Sequence, residues 1–146
     1  MSYPITGLRS SARTPLHLRL LALAAIWAGY LLSNVSPARL RRFLELARIG
    51  ARPATAPETR LALDAVLSMS IRCTGEYCLQ RSIATVLLCR MTGSWPEWRT
   101  GVRVDPFQAH AWVVADGVAV GEHPETIGYF SPVFTIPPAR CQEVSS

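Results

Sequence analysis

The first part of the chain is dominated by apolar residues. Residues 20–32, LLALAAIWAGYLL, carry no charge and follow Arg9, Arg13 and Arg19. A membrane span needs about 20 such residues, so this stretch is short for one, and no small-residue cleavage site of the secretory type clearly follows it. We predict a buried or interfacial helix that packs on the rest of the domain or on a partner; a signal or membrane-associated segment is the alternative.

Two further helices follow in the pattern. In PARLRRFLELARIG, Ser36 is a candidate cap, Pro37 takes the first helical position and Gly50 ends the helix. The segment ARPATAPET is typical of a linker, and Pro57 begins the next helix. We therefore predict an N-terminal helical segment, residues 1–56, and a core, residues 57–146, within one folding unit.

The second half shows the short apolar runs of a sheet. Residues 101–104 (GVRV), 109–114 (AHAWVV) and 118–121 (VAVG) are predicted strands. Because helices come first and strands later, the pattern indicates an α+β fold.

The turn before the third of these strands decides which side chain faces His110. A two-residue type I′ loop at Asp116-Gly117 would place His123 opposite His110 and turn Glu122 to the other face. A three-residue loop over residues 115–117 would place Glu122 directly across from His110. We predict the three-residue loop, because it alone brings a carboxylate within cross-strand distance of the imidazole.

The segment CTGEYCLQRSIATVLLCRMTG predicts a largely buried helix, with Thr74 as N-cap and Gly93 as its end. At helical spacing, small side chains form one stripe that would let a sheet approach closely: Cys78, Ser82, Thr85 and Cys89. Cys78 lies near the helix N-terminus, where the dipole lowers a thiol pKa and favours a nucleophile. A buried, unreactive thiol is the competing interpretation of Cys78, and Cys89 is predicted to pack in the core.

Cysteine, histidine and a carboxylate then form the predicted catalytic set. The thiolate of Cys78 would attack a carbonyl carbon, His110 would take and return a proton, and Glu122 would orient the imidazole. Asp116 is the alternative third member, although Asp-Gly is ordinary at a turn. Zinc bound by Cys73 and Cys78 with His110 or His123 is disfavoured, because no Cys-x-x-Cys pair is present.

The net charge of +5 is concentrated in the N-terminal part of the chain. No basic run is interleaved with aromatic residues, so a nucleic-acid partner is not expected. An acidic peptide, a protein or a membrane surface fits better, and a solvated helix face bearing Arg41, Arg42 and Arg48 fits equally well. The four cysteines suggest no dense disulfide framework, which predicts a cytoplasmic protein.

Three segments, EYCLQRSIATVLLCR, GSWPEWRTGVRV and PFQAHAWVVADGVAVGE, resemble the transglutaminase-like cysteine peptidases of lasso-peptide biosynthesis. The resemblance covers residues 57–136. It implies a papain-like or transglutaminase-like core in which a Cys-bearing helix packs on a small antiparallel sheet. It also implies Cys78 as nucleophile, His110 as general acid and base, and a third carboxylate at Glu122, where the family commonly has aspartate.

The activity that the resemblance implies is leader removal. Such a peptidase cuts the leader peptide from a ribosomally made precursor, so that a separate ATP-dependent macrocyclase can close the core peptide. Residues 1–56 lack the strand pattern of a leader-recognition domain, so a separate leader-recognition protein is expected, and no cofactor is. The alternatives are a transglutaminase-like acyl transferase and a non-enzymatic, membrane-associated helical adaptor.

Four more residues are candidates for substrate binding. Gln80 is a candidate oxyanion donor beside the backbone N–H of Cys78. Trp112 alternates with His110 on one strand face and is expected to pack in the core and wall the site. Trp95 and Trp98 would either line a peptide groove or pack in the core.

Overall fold

The computed structural model describes residues 16–69 and 78–138. Within these ranges the helices are α1 (Leu16–Ser33), α2 (Pro37–Ala47), α3 (Ala56–Met69), α4 (Cys78–Met91) and α5 (Pro124–Gly128). The strands are β1 (Arg52–Pro53), β2 (Ser94–Trp95), β3 (Glu97–Arg103), β4 (Gln108–Ala115), β5 (Val118–Val120) and β6 (Ser131–Ile136). The helices precede the main sheet, so the predicted α+β fold is confirmed.

The main sheet is antiparallel, in the order β5-β4-β3-β6. Alternate residues of β4 point to the two faces of this sheet. Ala111 and Val113 belong to the same core as α4. On the other face, Trp112 and Val114 form a small cluster with Phe130. The pattern did not predict β6, whose first five residues are exposed and give no alternation of buried and exposed positions. Helix α4 therefore covers one side of the sheet and leaves the other to α5 and the residues after it.

Helix α1 joins the core through its small residues. Ala22 and Ala25 are fully buried, and a Cβ on Gly29 would lie only 3.0 Å from the carbonyl oxygen of Gln80 on α4. The opposite face of α1 exposes large apolar side chains: Leu16, Leu20, Leu23, Trp27, Tyr30 and Leu31. The predicted packing of this helix on the domain is what the structure shows. By length and composition alone, α1 is also long and apolar enough to cross a membrane.

The predicted linker between the N-terminal segment and the core is built into the fold. Ala51 and Ala54 are buried, and β1 between them pairs in parallel with β2. At the end of this segment, Thr55 Oγ1 accepts a hydrogen bond from the N–H of Glu58, 3.3 Å away, and so caps α3. Residues 51–55 are therefore an ordered connection between α2 and α3.

The turn between β4 and β5 is a two-residue loop, so the predicted three-residue loop is wrong. Val113 pairs with Val120, and Ala115 with Val118. Asp116 and Gly117 between them have φ values of 53° and 75°, as a type I′ turn requires at both positions. This turn matches the right-handed twist of the flanking strands, and aspartate and glycine both tolerate the left-handed region.

Candidate active site

Cys78 is the first residue of α4 and is half-buried. Ser82, Thr85 and Cys89 continue its stripe along the helix and are all buried. The stripe faces the sheet, because Ser82 Oγ accepts a hydrogen bond from Trp98 Nε1 of β3 at 3.0 Å. These small side chains bring α4 close to the sheet and hold Cys78 beside it.

Strand β5 is shorter than β4 and leaves part of the β4 edge unpaired by β5. It pairs with residues 113–115 alone, so the edge of β4 over residues 109–112 is free of β5. Cys78 occupies this edge, where its thiol contacts the side chain of His110 and the backbone of Ala111. The early end of β5 thus makes room for a nucleophile next to the imidazole.

Glu122 reaches His110 by leaving the sheet. After β5 ends at Val120, Gly121 adopts a φ of 75°, and a Cβ there would overlap the side chain of Leu63. This turn brings Glu122 Oε1 to 3.1 Å from His110 Nε2. The predicted contact therefore forms, although the strand register on which we based it is wrong.

The contact between His110 and Glu122 is mainly electrostatic. Its length suits a hydrogen bond, but within the described part of the chain His110 Nε2 has no partner in hydrogen-bonding geometry. Both side chains are largely buried, with 16% and 13% of their surface exposed. Because a partly buried carboxylate is weakly screened, its charge acts strongly on the neighbouring imidazole.

Two aromatic rings fix the orientation of the imidazole. The His110 ring stacks on Trp112, with centroids 5.8 Å apart and planes inclined by 16°, and Phe130 lies 5.3 Å away on a tilted plane. Gly101 makes room for the indole, since a Cβ at this position would lie 2.9 Å from Trp112 Cη2. Trp112 therefore walls the site behind His110, and Phe130 is an additional wall residue that the sequence analysis missed.

Arg81 is a further residue that the sequence analysis did not assign. Its Nη2 lies 3.2 Å from Glu122 Oε1, and 11% of its side chain is exposed. It follows Cys78 by three positions on α4, a spacing that places both side chains on one side of the helix. That spacing could have placed Arg81 near Cys78 from the sequence alone, but it does not indicate that Arg81 pairs with Glu122.

The electrostatics of the site favour a thiolate and an imidazolium. Burial raises the pKa of Cys78, but the hydrogen bond with His110, the backbone of Ala111 and the charges of His110 and Arg81 together lower it below its ordinary value. Burial also lowers the pKa of His110, but contact with Cys78 and Glu122 outweighs this and raises it to about 9. By contrast, burial raises the pKa of Cys89 to about 12, so the two cysteines of α4 differ sharply in reactivity.

Asp116, the alternative third member, lies at the other end of the hairpin. Its Oδ2 accepts a hydrogen bond from the N–H of Ala56 at 2.7 Å and so binds the hairpin tip to the start of α3. It lies six positions after His110 in the chain, roughly 20 Å along an extended strand. The structure therefore excludes Asp116 as the partner of His110.

Three of the predicted substrate-binding residues have other contacts. Trp95 is fully buried and Trp98 is 3% exposed, and their indole N–H groups donate to Ile136 O and Ser82 Oγ. Of the two roles predicted for these tryptophans, the structure shows packing in the core and not the lining of a peptide groove. The side-chain amide of Gln80 lies 3.4 Å from Ser33 Oγ of α1, which argues against its use as an oxyanion donor.

Zinc was the disfavoured alternative at Cys78 and His110. Over residues 16–69 and 78–138, no three His, Cys, Asp or Glu side chains are grouped in a way that could hold a metal ion. Cys73 and the predicted cap Thr74 lie outside the described residues, as does Cys141. His123 is exposed and precedes Pro124 at the start of α5.

A family model described as the transglutaminase-like superfamily matches residues 22–135. The match covers more than half of the chain, and the chain therefore belongs to this superfamily. The superfamily includes cysteine peptidases and acyl transferases, and its members are generally cysteine-dependent enzymes. Comparisons with curated proteins and with solved structures found no match.

Proposed function

We propose that this protein is a cysteine peptidase that removes the leader from a ribosomally synthesised lasso-peptide precursor. The observation that carries the proposal is the contact between the half-buried thiol of Cys78 and His110. On the other side of the imidazole, Glu122 Oε1 lies 3.1 Å from His110 Nε2. The three sequence segments that resemble lasso-peptide leader peptidases support the choice of substrate.

The first half-reaction forms an acyl-enzyme. The sulfur of Cys78 attacks the carbonyl carbon of the last leader residue, and the backbone N–H of Cys78 at the start of α4 donates to the developing oxyanion. The protonated His110 then gives its proton to the leaving amine as the C–N bond breaks. Because Nε2 faces Glu122, Nδ1 is the nitrogen that serves the thiol and the leaving group. A thioester between the leader and Cys78 remains.

The second half-reaction releases the leader. His110, now neutral, takes a proton from water, and the oxygen of that water attacks the thioester carbon. The C–S bond breaks, the thiolate returns, and the leader leaves with a new carboxylate. Throughout, the negative charge of Glu122 favours the imidazolium that each half-reaction uses.

The partners follow from this function. We propose that a separate leader-recognition protein presents the precursor peptide, and that an ATP-dependent macrocyclase of the same pathway uses the released core peptide. This assignment places the protein in the cytoplasm and needs no cofactor of its own. Its ligand is a peptide, not a nucleic acid.

Cleavage of a precursor peptide tests the proposal. The protein is incubated with a lasso precursor and its leader-recognition protein, and the fragments are measured by mass spectrometry. We expect two fragments with the wild type and with Cys89→Ala, and no cleavage with Cys78→Ala. Cleavage by Cys78→Ala at the wild-type rate would refute the nucleophile.

The same incubation distinguishes the alternatives. Transfer of the leader acyl group to an added amine, in preference to water, would make the protein an acyl transferase that uses the same site. Binding of the precursor or of a membrane without any covalent chemistry would favour a non-enzymatic helical adaptor, in which the exposed face of α1 is the working surface.

A further inference from the structure

We infer that Arg81 is a positioning residue that holds Glu122 against His110 and links it to the helix that carries the nucleophile. The inference rests on the proposed function for its kinetic consequences, and on the contacts of Arg81 for its physical basis. Arg81 is assigned no contact with the thiol or with a substrate; it acts through Glu122 and through its charge.

The geometry of Glu122 shows why such a residue is needed. Glu122 follows the last paired residue of β5, Val120, so no ladder hydrogen bond of the described sheet fixes its backbone. Its side chain meets His110 without hydrogen-bonding geometry. The guanidinium of Arg81, 3.2 Å away, therefore supplies the directed contact, and a largely buried ion pair of this kind keeps its geometry better than an exposed one.

Arg81 also connects the members of the site. It lies one helical turn after Cys78 on α4, and it reaches the same oxygen of Glu122 that faces His110. Among the described residues, the charged groups that face the thiol are His110 from β4 and Arg81 from its own helix, with Glu122 behind the imidazole. Loss of Arg81 would thus release the carboxylate and remove a positive charge near the sulfur.

The test uses a readout that needs no substrate. The alkylation rate of Cys78 by iodoacetamide is followed against pH by peptide-mapping mass spectrometry, for the wild type, Arg81→Gln and Arg81→Lys. Arg41→Gln is the matched control, since it removes an exposed Arg–Glu pair on α2. We expect Arg81→Gln to raise the pH midpoint above that of the wild type, because the thiolate loses a positive charge that lowers the pKa of Cys78. Arg81→Lys should stay within about a third of a unit of wild type, because it keeps the charge.

Precursor cleavage then tests the positioning role. In the wild-type background Glu122→Gln should slow cleavage, whereas in the Arg81→Gln background it should add little, because the carboxylate has already lost its position. Arg81→Lys should slow cleavage while keeping the alkylation midpoint, since an ammonium keeps the charge but does not reproduce the directed contact of Nη2 with Glu122 Oε1. Circular dichroism of each variant checks that it is folded.

Each outcome bears on one claim. If Arg81→Gln shifts the alkylation midpoint but no precursor is cleaved by any form, the contact stands and the proposed peptidase function fails. If Arg81→Gln and Arg41→Gln have the same midpoint, and Glu122→Gln slows cleavage equally in both backgrounds, the role of Arg81 is refuted.

Discussion

Glu122 Oε1 lies 3.1 Å from His110 Nε2 although the pairing of β4 with β5 does not place these residues opposite each other. The contact depends on the end of β5 at Val120 and on the left-handed turn at Gly121. A residue outside the ladder thereby becomes the electrostatic partner of the imidazole, and the freed edge of β4 receives Cys78. The short strand is thus part of the site and not a defect of the sheet.

The two carboxylates of the hairpin give the first prediction. Glu122→Gln should slow precursor cleavage by about tenfold or more, because the imidazolium loses the charge that stabilises it. Asp116→Asn should leave the rate unchanged, since Asp116 contacts Ala56 at the start of α3 and asparagine tolerates the same backbone conformation. Steady-state kinetics with one precursor measure both. Equal effects of the two substitutions would contradict the assignment of Glu122.

The pH dependence of cleavage is the second prediction. The pKa of Cys78 is lowered and that of His110 is raised to about 9. The active ion pair therefore exists at pH values above the pKa of Cys78 and below that of His110. The rate should rise with pH as the thiolate forms and fall again through about pH 9 as His110 loses its proton. In Glu122→Gln the alkaline limb should move to lower pH, because the charge that raised the pKa of His110 is gone. An unmoved alkaline limb would show that Glu122 does not act on the imidazole.

The two cysteines of α4 provide the third prediction. Under limiting iodoacetamide at neutral pH, Cys78 should be alkylated well before Cys89. The reason is that Cys89 is buried and has a pKa of about 12, which leaves about one part in 10⁵ as thiolate at pH 7. Peptide mapping by mass spectrometry assigns each adduct. Alkylation of Cys89 before Cys78 in the folded protein would contradict the lowered pKa of Cys78.

Gly101 and Gly128 form a matched pair for the fourth prediction. A Cβ at Gly101 would lie 2.8 Å from Ser131 O and 2.9 Å from Trp112 Cη2, so Gly101→Ala should displace the ring on which His110 stacks. We expect a loss of about 1–3 kcal/mol in the free energy of unfolding, as for other overpacked sites, together with slower cleavage. Gly128→Ala meets nothing within 4 Å and should change neither. Urea unfolding and cleavage kinetics measure the two effects, and a fully active Gly101→Ala would remove the claim that Trp112 orients His110.

The sequence predicted the parts of the site that depend on local periodicity. The spacing of small residues on α4 predicted that the Cys78 side of the helix faces the sheet, and the alternation along β4 placed Trp112 on the face of His110. The predicted register between β4 and β5 was wrong, because the residues of the turn are compatible with both a two-residue and a three-residue loop. The choice of the three-residue loop assumed that β5 continues to Glu122. The end of β5 instead depends on Gly121 and its packing against Leu63. This tertiary contact cannot be predicted from the alternation of apolar and polar residues along a single strand.

The aromatic residues show the same limit. Trp95 and Trp98 lie near proline and glycine, in a segment that resembles a surface loop, and their burial depends on the position of β3 between β4 and β6. Since β6 was not predicted, that central position was not predicted either. Arg81 was missed for a similar reason, because its partner Glu122 lies 41 residues away along the chain.

The most direct test of the account is to trap the acyl-enzyme. The protein is mixed with precursor and its leader-recognition protein, quenched in acid within the first turnover, digested and mapped by mass spectrometry. The account predicts the leader fragment joined as a thioester to Cys78, with no such adduct in His110→Ala or Cys78→Ala. Precursor cleaved in full, with the acyl group never found on Cys78 and with undiminished cleavage by Cys78→Ala, would contradict it.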